Sequence, residues 1–172
     1  MNRSHVKKMV LAGVLIAVAV VGSTFSIPVF GSKCAPVQHM VNIVCAVFLG
    51  PGYGVAVAFL ASLFRNLFGL GSLLAFPGSM LGALLCGLVY KKIPKILPVC
   101  VAEVFGTAVL GGLAAYPIAL LFMGQNAGEL AFYAYIVPFL ISTAGGSLVA
   151  WAVLETLERT HVLGKLQATW QN

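Results

Sequence analysis

The chain has 172 residues, of which 60% are hydrophobic and only 8% are charged. Soluble domains carry about 25% charged residues, so this composition excludes a soluble enzyme and a nucleic-acid-binding protein, and its hydrophobicity excludes a disordered chain. The mean hydropathy of +1.03 is typical of a protein that crosses a lipid bilayer several times. The formal net charge of +6 then carries information about membrane orientation rather than about an anionic partner.

The predicted helices follow from the charge-free intervals and from one strong break. A helix needs about 20 apolar residues to cross the hydrocarbon core. The apolar interval 34–64 is too long for one helix, and the sequence Gly50-Pro51-Gly52-Tyr53-Gly54 divides it. We expect a single integral membrane domain over residues 1–172, with six transmembrane helices at approximately 8–26, 37–49, 52–66, 78–90, 97–122 and 130–156.

The positive charges orient these helices. Basic residues precede the first helix, follow the fourth and follow the sixth: Arg3, Lys7, Lys8, Lys91, Lys92, Lys95, Arg159 and Lys165. Short loops rich in Lys and Arg stay in the cytoplasm. Six passes place all three groups on one side, whereas five would send Lys91–Lys95 outside. We therefore expect an all-α, multi-pass protein of the plasma membrane with both termini cytoplasmic.

Polar side chains are few in the predicted helices, and most lie at the outer ends. A polar group within the membrane is a functional hypothesis by default. Gln38 and Asn42 are four residues apart and share a helical face, with His39 beside them. The predicted substrate site consists of these and other outer polar and aromatic residues: Gln38, His39, Asn42, Arg65, Asn66, Phe76, Ser79, Tyr116 and Tyr133.

Simpler explanations exist for several of these residues. Arg65 can be an anchor whose charge reaches the outer interface, the aromatic residues can form an interfacial belt, and His39 can be satisfied by water. Glu103 lies about 12 Å along the fifth helix from Lys95. It is either a paired structural carboxylate or a residue of ligand binding or coupling. Glu129 is expected to begin the sixth helix.

The sequence carries no metal or catalytic motif. Its four cysteines form no metal-binding spacing, and no Ser/His/acid set that a hydrolase needs is apparent. We expect a protein that is not an enzyme and that binds no metal or cofactor itself. Small residues at Gly13 and Ala17 allow another helix to approach the first helix closely. A helix at the edge of a small bundle is expected to offer such a face to a partner subunit.

Three segments of the chain resemble the ThiW family: Lys33–Asn42, Arg65–Gly69 and Leu73–Met80. The resemblance implies a substrate-binding S component of an energy-coupling factor (ECF) transporter, with a six-helix fold and hydroxyethylthiazole, a thiamine precursor, as its substrate. It also implies two kinds of partner, a transmembrane coupling T subunit and two cytoplasmic ATPase subunits that use ATP. S components meet the T subunit through an Ala-x-x-x-Ala type of face, for which Gly13-x-x-x-Ala17 is the best match.

Hydroxyethylthiazole suits the predicted site because it is small, flat and neutral. Such a ligand needs an apolar, aromatic pocket with one or two hydrogen-bond partners, which Gln38, His39, Asn42 and Ser79 can supply. Cationic thiamine is expected to require a carboxylate, and the outer face offers only Glu129. The alternative is an autonomous small secondary transporter or channel for a small heterocycle. Such proteins usually contain internal repeats, and none is visible here.

Overall fold

The computed structural model describes residues 3–29 and 32–171. Its helices are α1 (Arg3–Gly22), α2 (Pro36–Phe48), α3 (Pro51–Leu67), α4 (Ala75–Lys92), α5 (Ile96–Val104), α6 (Gly112–Phe122), α7 (Ile136–Arg159) and α8 (Val162–Gln171). A π-helical segment, Phe105–Gly111, joins α5 to α6, and a 3-10 turn, Ser23–Phe25, follows α1. Two short antiparallel strands, β1 (Ile27–Val29) and β2 (Ser32–Cys34), pair with Ile27 opposite Cys34.

The predicted break in the second apolar interval is confirmed. Helix α2 ends at Phe48 and α3 begins at Pro51. Proline suits the first position of a helix because an N–H group there would lack an intrahelical acceptor. Gly50 has a φ angle of +83°, a conformation that glycine adopts without the steric penalty of a Cβ atom. The Gly-Pro pair therefore ends one helix and begins the next.

Several predicted helix boundaries are wrong. Helix α1 runs from Arg3 to Gly22 rather than over residues 8–26. Helix α4 begins at Ala75 rather than near residue 78, because Pro77 lies in its first turn, where proline is tolerated. Helix α7 begins at Ile136 rather than near residue 130, so Glu129 lies in a turn and does not begin that helix. The β1–β2 hairpin and α8 are absent from the predicted elements, because both are too short to appear as an apolar interval of membrane-spanning length.

Three helical stretches are long and apolar enough to cross a bilayer, judged by length and composition over the described residues. They are Ser4–Phe25, Ile96–Phe122 and Ile136–Arg159, with 22, 27 and 24 residues. Helix α2 is also apolar but has only 13 residues, a length of about 20 Å. An apolar, helical chain with such stretches is a membrane protein.

Helices α2 and α4 form the centre of the bundle. Helix α2 packs against α1, α3, α4 and α7, and α4 packs against α3, α5 and the π-helical segment. Glycines make these contacts possible. A methyl group added at Gly87 of α4 would overlap Pro51 of α3, and one added at Gly111 would overlap Gly78 of α4. The small residues thus set how closely α4 approaches its neighbours.

The two ends of the described chain meet at one end of the bundle. Lys7 Nζ donates a hydrogen bond to the Thr169 carbonyl at 3.1 Å. Gln167 of α8 donates to the Val47 carbonyl at 3.1 Å and to the Tyr90 hydroxyl at 2.8 Å. We call this region the basic end, because Lys7 and the cluster Lys91–Lys95 next to Tyr90 belong to it. The Arg3 side chain lies outside the described part of the structure.

An apolar core fills the half of the bundle next to the basic end. It combines buried residues of α2, α4, α5, α7 and α8: Ile43, Ala46, Val47, Cys86, Ile96, Val99, Cys100, Ala150, Leu154 and Leu163. Burial of apolar surface contributes about 25 cal/mol per Å², so this half is stabilised by packing. The other half, which we call the polar half, contains the first turns of α2 and the last turns of α3.

Candidate ligand site

A buried carboxylate, Glu103 of α5, lies at the centre of a polar network in the polar half. Its side chain is 0% exposed. Glu103 Oε1 lies 3.0 Å from Asn42 Nδ2, 3.0 Å from Thr107 Oγ1 and 2.9 Å from His39 Nδ1. Oε2 accepts a hydrogen bond from Cys86 Sγ at 3.1 Å. Asn42, Thr107 and Cys86 donate to this carboxylate and His39 Nδ1 is its fourth neighbour, so Glu103 is the central acceptor of the network.

His39 of α2 lies between a carboxylate and a hydroxyl group. Its Nδ1 atom is 2.9 Å from Glu103 Oε1, and its Nε2 atom is 3.1 Å from Ser142 Oγ. Ser142 Oγ also accepts a hydrogen bond from the Ala35 N–H at 2.9 Å. Both ring nitrogens of His39 therefore have a partner, and the imidazole connects α2 to α5 and α7.

Asn42 connects α2 to α4 and α5. Its Nδ2 atom donates to the Ser79 carbonyl at 3.1 Å as well as to Glu103. Its Oδ1 atom accepts from Gln38 Nε2 at 3.2 Å, which confirms that Gln38 and Asn42 share a helical face. Ser79 Oγ lies 3.0 Å from Ser62 Oγ, so the network also reaches α3. One amide side chain thus links three helices.

Two features of the backbone let the helices approach closely enough for this network. The π-helical segment begins just after Glu103, and its third residue, Thr107, donates to Glu103 and lies 3.2 Å from the Gly78 carbonyl. Such wide turns are frequent at functional sites. A Cβ atom at Gly82 would overlap Thr107 Oγ1 and would lie 2.6 Å from Glu103 Oε2. A larger residue at Gly82 would therefore displace the carboxylate.

A small cavity of about 30 Å³ lies beside the network. Its walls come from β2–α2, α3, α4, α7 and the π-helical segment: Ala35, Gln38, His39, Arg65, Ala75, Gly78, Ser79, Thr107, Phe139 and Ser142. That volume accommodates about two water molecules, whereas small-molecule pockets usually measure about 300–1,000 Å³. The walls are therefore closed in this conformation.

Two buried polar atoms of the cavity-lining residues have no hydrogen-bond partner in the described part of the chain, Gln38 Oε1 and Arg65 Nε. Arg65 is only 3% exposed, so the explanation that its charge reaches the outer surface is wrong. An unpaired buried polar group costs about 1–3 kcal/mol and is uncommon in folded proteins. These two atoms are available to a ligand.

The structure brings five of the nine predicted site residues into the network or the cavity wall. They are Gln38, His39, Asn42, Arg65 and Ser79. Of the remaining four, Asn66 has a connecting role: its Nδ2 atom donates to the Ser62 carbonyl at 2.8 Å and to the Ser72 carbonyl at 3.1 Å. These bonds hold the loop that follows α3.

The three predicted aromatic residues lie away from the cavity. Phe76 packs against Phe59, with 5.7 Å between ring centroids. Tyr116 is partly buried in α6. Tyr133 is 56% exposed and contacts Phe132 edge-on. A role for these residues in binding stays a prediction, and the aromatic side chain of the cavity wall is Phe139 instead.

The predicted set lacks the central carboxylate, Glu103, and several residues of the cavity wall: Ala35, Ala75, Gly78, Thr107, Phe139 and Ser142. The charge of Glu103 in an otherwise apolar helix is a clear sequence signal. Its contacts are those of a paired carboxylate, and a role in ligand binding or coupling stays a prediction. Thr107 and Ser142 are ordinary hydroxyl residues of apolar helices. Only packing distinguishes them from others of their kind.

The four cysteines bear on the expectation that this chain binds no metal ion. No group of three or more metal-ligating side chains is present among them. Cys34, Cys45, Cys86 and Cys100 are buried and form no disulfide. Cys34 Sγ donates to the Pro138 carbonyl at 3.2 Å, and burial raises the pKa of this thiol. Cys34 is therefore a protonated thiol at neutral pH, since an ordinary cysteine already has a pKa of about 8.5.

The predicted partner face of α1 is uncovered by the described chain. Gly13 and Ala17 are exposed, and a Cβ atom added at Gly13 has no neighbour within 4 Å. The opposite face of α1 is buried against α2 and α3 through Ala12, Leu15 and Ala19. The helix thus has one packed face and one free face. Contact of the free face with a partner stays a prediction.

Comparison with protein families gives one match and confirms the resemblance. A family model described as "Thiamine-precursor transporter protein (ThiW)" matches residues 9–160. Comparison with curated proteins and with solved structures gave no match. The matched region contains every residue of the polar network and of the cavity wall, and it extends over most of the chain. The chain therefore belongs to the ThiW family of thiamine-precursor transporter proteins.

Proposed function

We propose that this protein is the substrate-binding S component of an ECF-type importer that takes up hydroxyethylthiazole. The observation that carries the proposal is the presence of one acidic and one basic side chain in the buried site, Glu103 and Arg65. Buried charge is costly unless compensated, so a site in which these two groups offset each other suits a neutral substrate better than a charged one.

The cavity wall also matches the shape of this substrate. Phe139 offers an aromatic surface to a flat ring, and Gln38 and Arg65 offer an acceptor and a donor. Small-molecule sites usually combine apolar walls with a few well-placed polar groups. The wall must move outward to admit a thiazole ring. The loop 68–74 follows Arg65, and the amides of Leu70 and Gly71 both donate to the Arg65 carbonyl, so displacement of this loop is coupled to Arg65.

Binding of hydroxyethylthiazole to purified protein tests the substrate directly. Isothermal titration should give saturable binding. His39→Ala and Asn42→Ala should each weaken it about 5- to 150-fold, because a buried group left without its partner costs about 1–3 kcal/mol. Asn126→Ala, in an exposed turn, is the matched control and should leave affinity unchanged. Unchanged affinity in both His39→Ala and Asn42→Ala would contradict the site assignment.

We infer that the chain crosses the plasma membrane six times, with the basic end in the cytoplasm. The support is the contact between Lys7 and Thr169, which requires the N- and C-terminal regions to lie on the same side, together with the positive charge there. Cysteine labelling in a cysteine-free background tests this. Lys92→Cys should react with an impermeant reagent only from the cytoplasm, and Asn126→Cys only from outside. Labelling of Lys92→Cys from outside would contradict the topology.

We also propose that the free face of α1 docks onto a transmembrane T subunit, which couples transport to two cytoplasmic ATPases. Replacing both Gly13 and Ala17 by Leu adds side chains where close helix contact is needed. The double variant should lose co-purification with the T subunit and lose uptake, while hydroxyethylthiazole binding persists. Ala152→Leu, on the exposed face of α7, is the control. Normal assembly and uptake in the double variant would exclude this face as the interface.

One observation favours a second function, an autonomous proton-coupled transporter. The buried Glu103–His39 pair, with 2.9 Å between Oε1 and Nδ1, is a combination of groups that transporters use as proton relays. The two functions differ in their energy source. Uptake that requires co-expressed ATPase subunits supports the ECF assignment, and uptake by this chain alone that collapses with the proton gradient supports the alternative.

A further inference from the structure

We propose that Arg65 and Gln38 determine substrate specificity by forming hydrogen bonds with opposite ends of a neutral thiazole alcohol. Arg65 also excludes the cationic thiazolium form of the same ring. This inference rests on the proposed function and adds a mechanism of selection. Within the described chain, both residues line the same cavity, and each has one buried polar atom without a hydrogen-bond partner. One atom is a donor and the other is an acceptor.

Arg65 is a buried cation with an unused hydrogen-bond donor. Its side chain is 3% exposed, and among the described residues it forms no ion pair and its Nε atom has no acceptor. The carboxylate of the site is already occupied, because Glu103 accepts from residues of α2, α4 and the π-helical segment. The Arg65 Nε–H group therefore has no acceptor in this part of the chain, and a ligand in the cavity can supply one.

Gln38 complements Arg65 in chemistry. Its Nε2 atom donates a hydrogen bond to Asn42 Oδ1, so the amide oxygen, Oε1, is the atom that remains for a ligand. Its Oε1 atom is buried and unpaired, in a side chain that is 1% exposed. An oxygen acceptor requires a ligand donor. The hydroxyl group is the only hydrogen-bond donor of hydroxyethylthiazole, so it is assigned to Gln38, and the ring nitrogen is left as the acceptor for Arg65.

This assignment has a consequence for charged relatives of the substrate. Alkylation of the ring nitrogen, as in a thiazolium ion, removes the lone pair that Arg65 needs and adds a positive charge beside the guanidinium. Like charges about 5 Å apart repel strongly where the effective dielectric constant is about 20. The neutral ring should therefore bind about 100-fold or more tightly than its N-methyl derivative. Loss of the hydroxyl group should instead remove the contact with Gln38.

Titration of three probes against four proteins tests the inference. The probes are hydroxyethylthiazole, its N-methylthiazolium derivative, and the 5-ethyl analogue that lacks the hydroxyl group. The proteins are the wild type, Arg65→Gln, Gln38→Met and Arg159→Gln. Arg159 carries the same charge but lies exposed on α7, paired with Glu155 at 3.1 Å, so its variant is the matched control for loss of charge.

In the wild type, the neutral ring should be preferred over the thiazolium by about 100-fold or more. Arg65→Gln should weaken binding of the neutral probe about 5- to 150-fold and reduce the preference over the thiazolium below about tenfold. Gln38→Met should abolish the difference between the hydroxyethyl and ethyl probes while keeping the rejection of the thiazolium. Arg159→Gln should retain all the wild-type ratios.

Two results would overturn the inference while leaving the proposed function intact. They are equal binding of the neutral and cationic rings by the wild type, and full rejection of the thiazolium by folded Arg65→Gln. The first needs no variant, so a failure of Arg65→Gln to fold does not remove the test. If the wild type binds no hydroxyethylthiazole at all, the proposed function fails and the inference fails with it.

Discussion

The two halves of the bundle are held together by different forces, although the same helices run through both. In α2, the first turns contribute Gln38, His39 and Asn42 to the buried network, and the last turns contribute Ile43 and Val47 to the apolar core. The apolar half is stabilised by burial, which tolerates modest changes in shape. The polar half depends on buried hydrogen bonds, whose loss is costly because an unpaired group is poorly tolerated where water is excluded.

In the polar half, unpaired polar atoms lower the stability of the fold and are available for binding. The two unpaired atoms of the cavity, Gln38 Oε1 and Arg65 Nε, both belong to the polar half. The apolar half has an additional cover, since α8 packs over it through Gln167. We therefore expect substitutions in the polar half to change both stability and binding, and substitutions in the apolar half to change stability alone.

The largest effect is expected for Glu103→Ala. This change removes the acceptor that His39, Asn42, Thr107 and Cys86 share. Each buried polar group left without a partner costs about 1–3 kcal/mol, and several lose one here. Thermal unfolding in detergent should show a large fall in Tm, and titration should show no binding. Glu158→Ala, on the exposed side of α7, is the control and should change stability by less than about 0.5 kcal/mol. Similar Tm values for the two variants would contradict the central role of Glu103.

A smaller loss is expected for Gly82→Ala, which tests how closely α4 approaches the carboxylate. The added methyl group would overlap Thr107 Oγ1, and overpacking a core costs about 1–3 kcal/mol. Gly52→Ala is the matched control, because a Cβ atom there has no neighbour within 4 Å. Thermal unfolding should show destabilisation of the first variant only. A Tm for Gly82→Ala at or above that of the wild type would show that the packing is looser than described.

A change of binding without a large change of fold is expected for Phe139→Leu. The residue stays apolar, but a flat ring loses its aromatic partner, which is worth about 0.5–1.5 kcal/mol or roughly 2- to 13-fold in affinity. Tyr133→Leu, at an exposed position, should leave affinity for hydroxyethylthiazole within about twofold. A larger loss of affinity for Tyr133→Leu than for Phe139→Leu would indicate that Tyr133, and not Phe139, contacts the ligand.

The smallest effect is expected for Gln167→Ala at the basic end. Its two hydrogen bonds reach the Val47 carbonyl and the Tyr90 hydroxyl from a partly buried position, so their loss should cost about 0.5–1.5 kcal/mol of stability. Affinity for hydroxyethylthiazole should not change, because distant sites contribute independently. A parallel loss of affinity would show that the two halves are coupled and would contradict the expectation that the apolar half affects stability alone.

Sequence reasoning succeeded for local features. Gly50-Pro51 predicts the break between α2 and α3 because its cause is local backbone geometry, and the pairing of Gln38 with Asn42 follows from helical spacing alone. It missed Phe139, which lines the cavity, and named Tyr133, an aromatic residue near the same helix end whose role in binding stays a prediction. Which of them lines the cavity depends on where α7 begins, and the turn before Ile136 carries no strong sequence signal.

Composition and the three ThiW-like segments alone determined that this chain is a membrane protein of a thiamine-precursor transporter family, because hydropathy and motif are properties of the sequence itself. The arrangement around Glu103 was decided only by the tertiary structure. Along the chain, His39 is 64 residues from Glu103 and 103 residues from Ser142. His39 and Ser142 can meet because Gly146 of α7 leaves no Cβ atom between that helix and α2. Contacts between such distant residues arise from packing, which no local pattern encodes.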